Sequence, residues 1–147
     1  MRDPIIDSGA GHIVDSTETA QITRFVRGTL GCRCPDDVFL SITVDAREPI
    51  GGSPPFTRLV IGDRLLIYLT RPGPVDTVAT WIAGLTRLGQ AERGAAGYNR
   101  FRLVVAAAHA DQQAAPARRV FAETIGQDDR AHLHIVAPDD LPAFARR

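Results

Sequence analysis

Residues 57–70 hold two β-rich runs, TRLVIG and RLLIYLT, which meet at Gly62-Asp63. A glycine followed by an aspartate tolerates the left-handed backbone of a tight turn, so the two runs predict an antiparallel hairpin. From Leu65 to Leu69 every side chain of the second run is apolar or aromatic. A strand that is apolar on both faces must be covered on both, which makes it the central strand of a layered fold and rules out an open, one-faced sheet.

Downstream of this strand the pattern alternates. Val75, Val78, Ile82 and Leu85 recur at helical spacing, with Trp81 and Leu88 widening the stripe; they predict a long amphipathic helix that starts near Pro74 and fades between Gly89 and Gly94. Phe101 to Ala108 follows as a buried strand, then a helix over 116–125 carrying Val120, Phe121 and Ile125, then a last strand from Leu133 to Ala137. Strand and helix in alternation imply right-handed parallel crossovers.

Upstream, Asp15 and Glu18 have the spacing of a capping box, and Ile22, Phe25, Val26 and Leu30 share one helical face. They predict a helix over 17–30 that Gly31 terminates in the left-handed conformation. Pro35 suits the first position of a short helical turn over 35–40, and Ile42 and Val44 alternate with polar residues as a strand does. The stretch 47–56 contains Pro49, Gly51, Gly52, Pro54 and Pro55 and predicts a surface loop placed to act as a lid. Residues 1–14 lack apolar periodicity and form an arm, and 15–147 form one domain. The expected fold is α/β: a single-domain mixed sheet of about five strands, with one hairpin and later parallel strands, and helices packed on it.

Composition narrows function. The 147 residues suffice for one core, and 44% apolar with 23% charged residues is ordinary globular usage. The 17 basic residues balance 17 acidic ones, so no overall field draws the chain to nucleic acid or to an anionic membrane. All of the basic residues are arginine, a usage typical of a GC-rich bacterial genome. Without lysine, Schiff-base catalysis, a P-loop lysine and a lysine general base are excluded. The opening MRDPIIDSGAGHIVDS has no apolar run of signal-peptide length, and no stretch approaches a membrane span. A cytoplasmic protein is expected, and its two cysteines are expected to be thiols or ligands, not a structural staple.

The densest chemical feature is the run TLGCRCPDDVF at 29–39. In an extended stretch Cys32 and Cys34 point to one side, so both sulfurs can bind one soft ion such as zinc or exchange electrons or sulfur as a dithiol. Arg33 between them adjusts the local charge. Cys34 is expected at the N-cap of the short turn, where unpaired N–H groups favour a thiolate, whereas Asp36 and Asp37 oppose it. The opposite reading is a buried, inert pair. The run resembles the signature of a small, uncharacterised family of bacterial proteins, in which a helix leads into Gly-Cys-x-Cys-Pro, two acidic residues and Val-Phe. The resemblance covers about a dozen residues and implies a shared structural motif, with no catalytic residue attached.

Other residues carry weaker patterns. His132 and His134 share one face of the last strand and would complete a four-ligand metal site if folding brought them to Cys32 and Cys34. His109 and Asp111 follow a parallel strand, at the end where α/β ligand sites gather. Tyr98-Asn99-Arg100-Phe101-Arg102 mixes cations and aromatics, yet in a neutral chain it fits snorkelling arginines better than a nucleic-acid surface. Gly9-Ala10-Gly11 and Gly51-Gly52 lack the strand-turn-helix setting of phosphate loops. Two classes of function stay open: a thiol protein working through Cys32 and Cys34 with the 47–56 loop controlling access, or a non-enzymatic interaction module, homodimeric or with another protein partner, docking through the 57–70 hairpin or the N-terminal arm. No complete catalytic constellation assigns an enzyme class.

Overall fold

The computed structural model describes residues 11–12, 14–49, 52–71, 78–108 and 110–146. Most of the expected arm, the expected helix start at Pro74, His109 and the side chain of Asp111 lie outside the described residues. The described residues form one sheet whose strands lie side by side in chain order: β1 (Gly11–His12), β2 (Ile42–Arg47), β3 (Phe56–Ile61), β4 (Leu65–Thr70), β5 (Arg100–Ala106) and β6 (Ala131–Val136). β1 to β4 run antiparallel to their neighbours, and β4, β5 and β6 are parallel. The fold is thus the expected α/β mixed sheet, with five full strands and the short β1 at one edge.

All six residues of β4 are buried, as a strand apolar on both faces requires. The β3–β4 turn places Gly62 at φ 61° and Asp63 at φ 53°, the two left-handed central residues that match the twist of the flanking strands. Each face of the sheet has its own core. On one, α2 (Val78–Ala96) and α3 (Ala110–Ile125), the two crossovers, pack Trp81, Ile82, Leu85 and Phe121 over Leu66, Tyr68, Phe101, Leu103 and Val105. On the other, α1 (Ser16–Arg24) and the segment after it lay Ile22, Phe25, Val26 and Phe39 over Leu59, Ile61, Ile67 and Val104, with Leu141 closing the far side.

Several boundaries differ from expectation. The helix expected over 17–30 starts on the Asp15–Glu18 capping box, but after Arg24 it widens into a π-helical turn, Phe25–Thr29, before Gly31 ends it at φ 74°. α2 does not fade at Gly89. It runs to Ala96, because Gly89 faces inward, where a Cβ would stand 2.1 Å from Cζ of Phe101. This glycine is a close-approach site and not a breaker. α3 starts at Ala110, ahead of the expected 116, and carries Pro116 inside it. The alanine- and glutamine-rich residues before the proline are strong helix formers and hold the helix across it. Gly11 and His12, assigned to the arm, pair with Asp45 and Val44 and extend the sheet.

Candidate functional site

The Gly-Cys-x-Cys-Pro run joins the π-turn to a 3-10 turn, Asp36–Leu40, on the face that α1 covers. Both ends of the run are anchored. The Cys32 N–H donates to the Val26 carbonyl at 3.0 Å. Arg27 reaches across and donates from Nε and Nη2 to the Cys34 carbonyl, at 3.2 and 2.7 Å. The same Nη2 pairs with Asp36 at 2.6 Å, and the guanidinium lies 5.0 Å from the centre of the Phe39 ring. Held this way, Cys32 and Cys34 have Cα atoms 5.5 Å apart and are joined by a disulfide. Both residues are half-buried.

Cys34 is not the N-cap. Pro35 takes that place with extended backbone, its carbonyl accepting from Val38 N–H at 3.3 Å. Its fixed φ lets the chain leave the extended stretch and begin the turn at the next residue. A single 3-10 turn lying beyond a proline has little dipole to offer Cys34. Of the two acids expected to oppose a thiolate, Asp36 and Asp37, Asp36 is engaged by Arg27.

What faces the disulfide is a shallow groove of about 290 Å³ with Val38, Ile61 and Leu65 in its wall and four arginines around it: Arg33, Arg64, Arg100 and Arg102. Arg64 belongs to the β3–β4 turn, which is tied to the neighbouring segment by Gly62 N–H donating to Ser41 O at 2.7 Å. The Arg64 carbonyl accepts from the N–H groups of Asn99 and Arg100, at 2.7 and 3.2 Å, which brings the start of β5 alongside. Arg100 and Arg102 alternate on β5 and so point to the same face. Among the described residues the ion pairs belong to Arg27, Arg47 and Arg58, so none of the four groove arginines has a carboxylate partner. The groove lies at the N-terminal ends of the parallel strands, opposite to the end where His109 and Asp111 were expected to mark a site.

His132 and His134 do not join the cysteines. Each faces an arginine of the adjacent strand, Arg100 Nη1 standing 3.3 Å from His132 Nε2 and Arg102 Nη1 2.9 Å from His134 Nε2. A guanidinium has no acceptor, so each Nε2 must accept and each ring is neutral with its proton on Nδ1. Burial, then the charge of Arg102, lowers His134 to about 4, and burial with Arg102 and Arg100 lowers His132. Arg102 is lowered as well, by burial and by Arg100 beside it, and its Nε is buried without a hydrogen-bond partner. Among the described residues no three histidine, cysteine, aspartate or glutamate side chains converge as metal ligands. The histidines orient two arginines, a role that sequence reading did not assign.

A larger cleft, about 660 Å³, opens on the opposite face between the β2–β3 edge and α2. Arg58 bridges Asp45, 2.6 Å away, and Glu92, whose other oxygen accepts from the Tyr68 hydroxyl at 2.5 Å. Burial would raise the Glu92 carboxyl, but hydrogen bonds from Arg58 and Tyr68 outweigh it and hold the group low. Burial and Glu92 together push the Tyr68 hydroxyl up. Arg58 is met here by two carboxylates. Arg47, Glu48, Pro49 and Phe56 border this cleft, so the described part of the 47–56 loop stands away from the disulfide groove and does not gate it. The network escaped sequence reading because its members lie on four separate elements; the one local hint was Arg58, a cation inside an apolar strand.

The apolar side chains of the 57–70 hairpin are internal, and among the described residues Leu40 is the one large hydrophobic left exposed. The apolar side chains of the hairpin are therefore part of the core. Compared with protein-family models, curated proteins and solved structures, the chain matches none.

Proposed function

We propose that Cys32 and Cys34 form a thiol–disulfide redox couple, and that the protein exchanges electrons with thiols that reach it through the arginine-lined groove. The observation that carries this reading is the placement of a half-buried disulfide against four arginines that have no carboxylate partner among the described residues. An incoming thiolate attacks one sulfur and forms a mixed disulfide, and the other cysteine leaves as a thiolate. The departing sulfur faces Arg33, Arg64, Arg100 and Arg102, whose charges favour the ionised form.

A purely structural role gains little from this bridge. It spans a single intervening residue, and closing so small a loop removes little entropy from the unfolded chain, about 1.5 kcal/mol. In a reducing compartment, the residence expected for this chain, disulfides are mostly transient and catalytic. The anchors at Val26 and Arg27 keep the two sulfurs within bonding reach after reduction, so reoxidation needs no search.

The test is titration of the native protein in dithiothreitol redox buffers, with thiols trapped by alkylation and counted by mass. A single two-electron transition that disappears in Cys34→Ser, while that variant unfolds cooperatively, supports the reading. A pair that stays bonded in excess dithiothreitol until the protein is denatured would end it.

A further inference from the structure

We infer that the groove is an anion-recognition subsite and that the redox partner of the Cys32–Cys34 disulfide is a small thiol bearing carboxylate or phosphate groups. This inference rests on the redox reading above and adds the class of substrate to it.

Three observations point the same way. Arg64, Arg100 and Arg102 come from two elements, the β3–β4 turn and β5, and converge with Arg33 on one groove beside the sulfurs. Like charges so placed repel one another, and among the described residues no carboxylate pairs with them: the hydrogen-bond partners of Arg100 and Arg102 are neutral imidazoles and the Asp129 backbone carbonyl. On the opposite face the half-buried Arg58 is matched to Asp45 and Glu92, and the half-buried Arg93 donates to the Tyr98 carbonyl. Arg102, by contrast, is met by a neutral imidazole, and its Nε is buried without a hydrogen-bond partner. A half-buried guanidinium held in place by a histidine, with no carboxylate partner among the described residues, has the makings of a binding group for an anion that arrives from outside.

The size of the groove selects the ligand. At about 290 Å³ it stands at the lower end of small-molecule sites. It holds the anionic arm of a small thiol while the sulfur reaches the disulfide. The apolar wall of Val38, Ile61 and Leu65 would lie along the carbon chain between the two.

The reaction balances within the named components. One thiolate attacks Cys32 or Cys34, the sulfur–sulfur bond breaks, and the leaving cysteine takes the electron pair. A second thiolate attacks the small-molecule sulfur of the mixed disulfide and releases the second cysteine. Two small thiols become one disulfide, and the protein gains two electrons and, on protonation, two hydrogens.

The experiment compares reduction of the native disulfide by mercaptosuccinate, 2-mercaptoethanol and cysteamine, which are anionic, neutral and cationic, each at equal thiolate concentration. At low ionic strength mercaptosuccinate should be faster than 2-mercaptoethanol by about tenfold and should saturate, with cysteamine slowest. Added salt should erase most of the advantage. Arg100→Gln with Arg102→Gln should bring the anionic and neutral rates within about threefold of each other. Arg64→Gln, in an exposed turn, repeats the test should the double variant fold poorly. Rates that ignore thiol charge in the native protein, or an acidic cysteine peptide that outpaces mercaptosuccinate, would overturn the inference and leave the redox reading standing. A disulfide that none of the three thiols reduces would remove both.

Discussion

His134 shows how a side chain's partner decides its role. Two histidines on one strand face have the spacing of metal ligands, but the strand beside them puts arginines within reach of both rings. A guanidinium facing Nε2 requires the neutral ring, and burial reinforces this until the His134 imidazole titrates near 4. In the unfolded chain the same ring titrates near ~6.5. Between these values the unfolded state binds a proton that the folded state refuses, so stability falls as pH drops through that window. The ring is only half-buried, which discounts the effect to roughly 1–2 kcal/mol. His134→Gln keeps an acceptor for Arg102 but does not titrate, so its loss of stability between pH 7 and 4 should be smaller than that of the unaltered protein by about that amount. Urea unfolding at several pH values reads the difference. Parallel curves for the two proteins would mean that the ring is protonated in both states and that its pairing with Arg102 has been misassigned.

At the level of elements, what was legible in the sequence depended on whether a signal was local. The capping box at Asp15, the left-handed Gly31 and the Gly62-Asp63 turn are decided by backbone chemistry within a few residues, and each stands where the sequence puts it. Gly89 could not be interpreted that way. It looked like a place for α2 to fade, whereas it admits the ring of Phe101, a residue on another strand. Arg100 and Arg102 were visible as an alternating pair, but their meaning came from a turn and a disulfide brought alongside by the fold. The site was therefore half legible: the two cysteines and Arg33 lie in one local run, while the remaining arginines depend on sheet order and register. A test follows for α2. Alanine is the better helix former by about 1 kcal/mol, so propensity alone would make Gly89→Ala stabilising. The added methyl would stand 2.1 Å from a fully buried ring that also packs against Tyr68 at 5.0 Å. Overpacking should win and leave the variant less stable by roughly 1–3 kcal/mol, read by denaturant unfolding. A more stable variant would show that α2 can rise off β5 at little cost.

Across the whole molecule, stability and chemistry separate by depth: a core lies on each face of the sheet, and the disulfide sits at the rim of one of them. The two cores are continuous through β4, which both of them share, and the crossover helices seal the face opposite the disulfide. The Cys32–Cys34 run sits on the rim of the other face, joined to the rest by the Val26 bond, the Arg27 bonds and partial burial of its sulfurs. A bridge so local constrains the unfolded chain hardly at all, so the fold should not depend on it. Cys32→Ser combined with Cys34→Ser should lose no more than about 1.5 kcal/mol and keep a single cooperative transition. Reducing the unaltered protein should cost the same amount or less, because its thiols remain apolar enough to stay packed where serine hydroxyls do not. The two measurements belong together. If reduction alone melts the protein, the disulfide is a structural clamp, and the separation of core from chemistry argued here is wrong. If reduction leaves the unfolding midpoint nearly unchanged, the fold tolerates both states of the couple, which a redox protein must do to turn over.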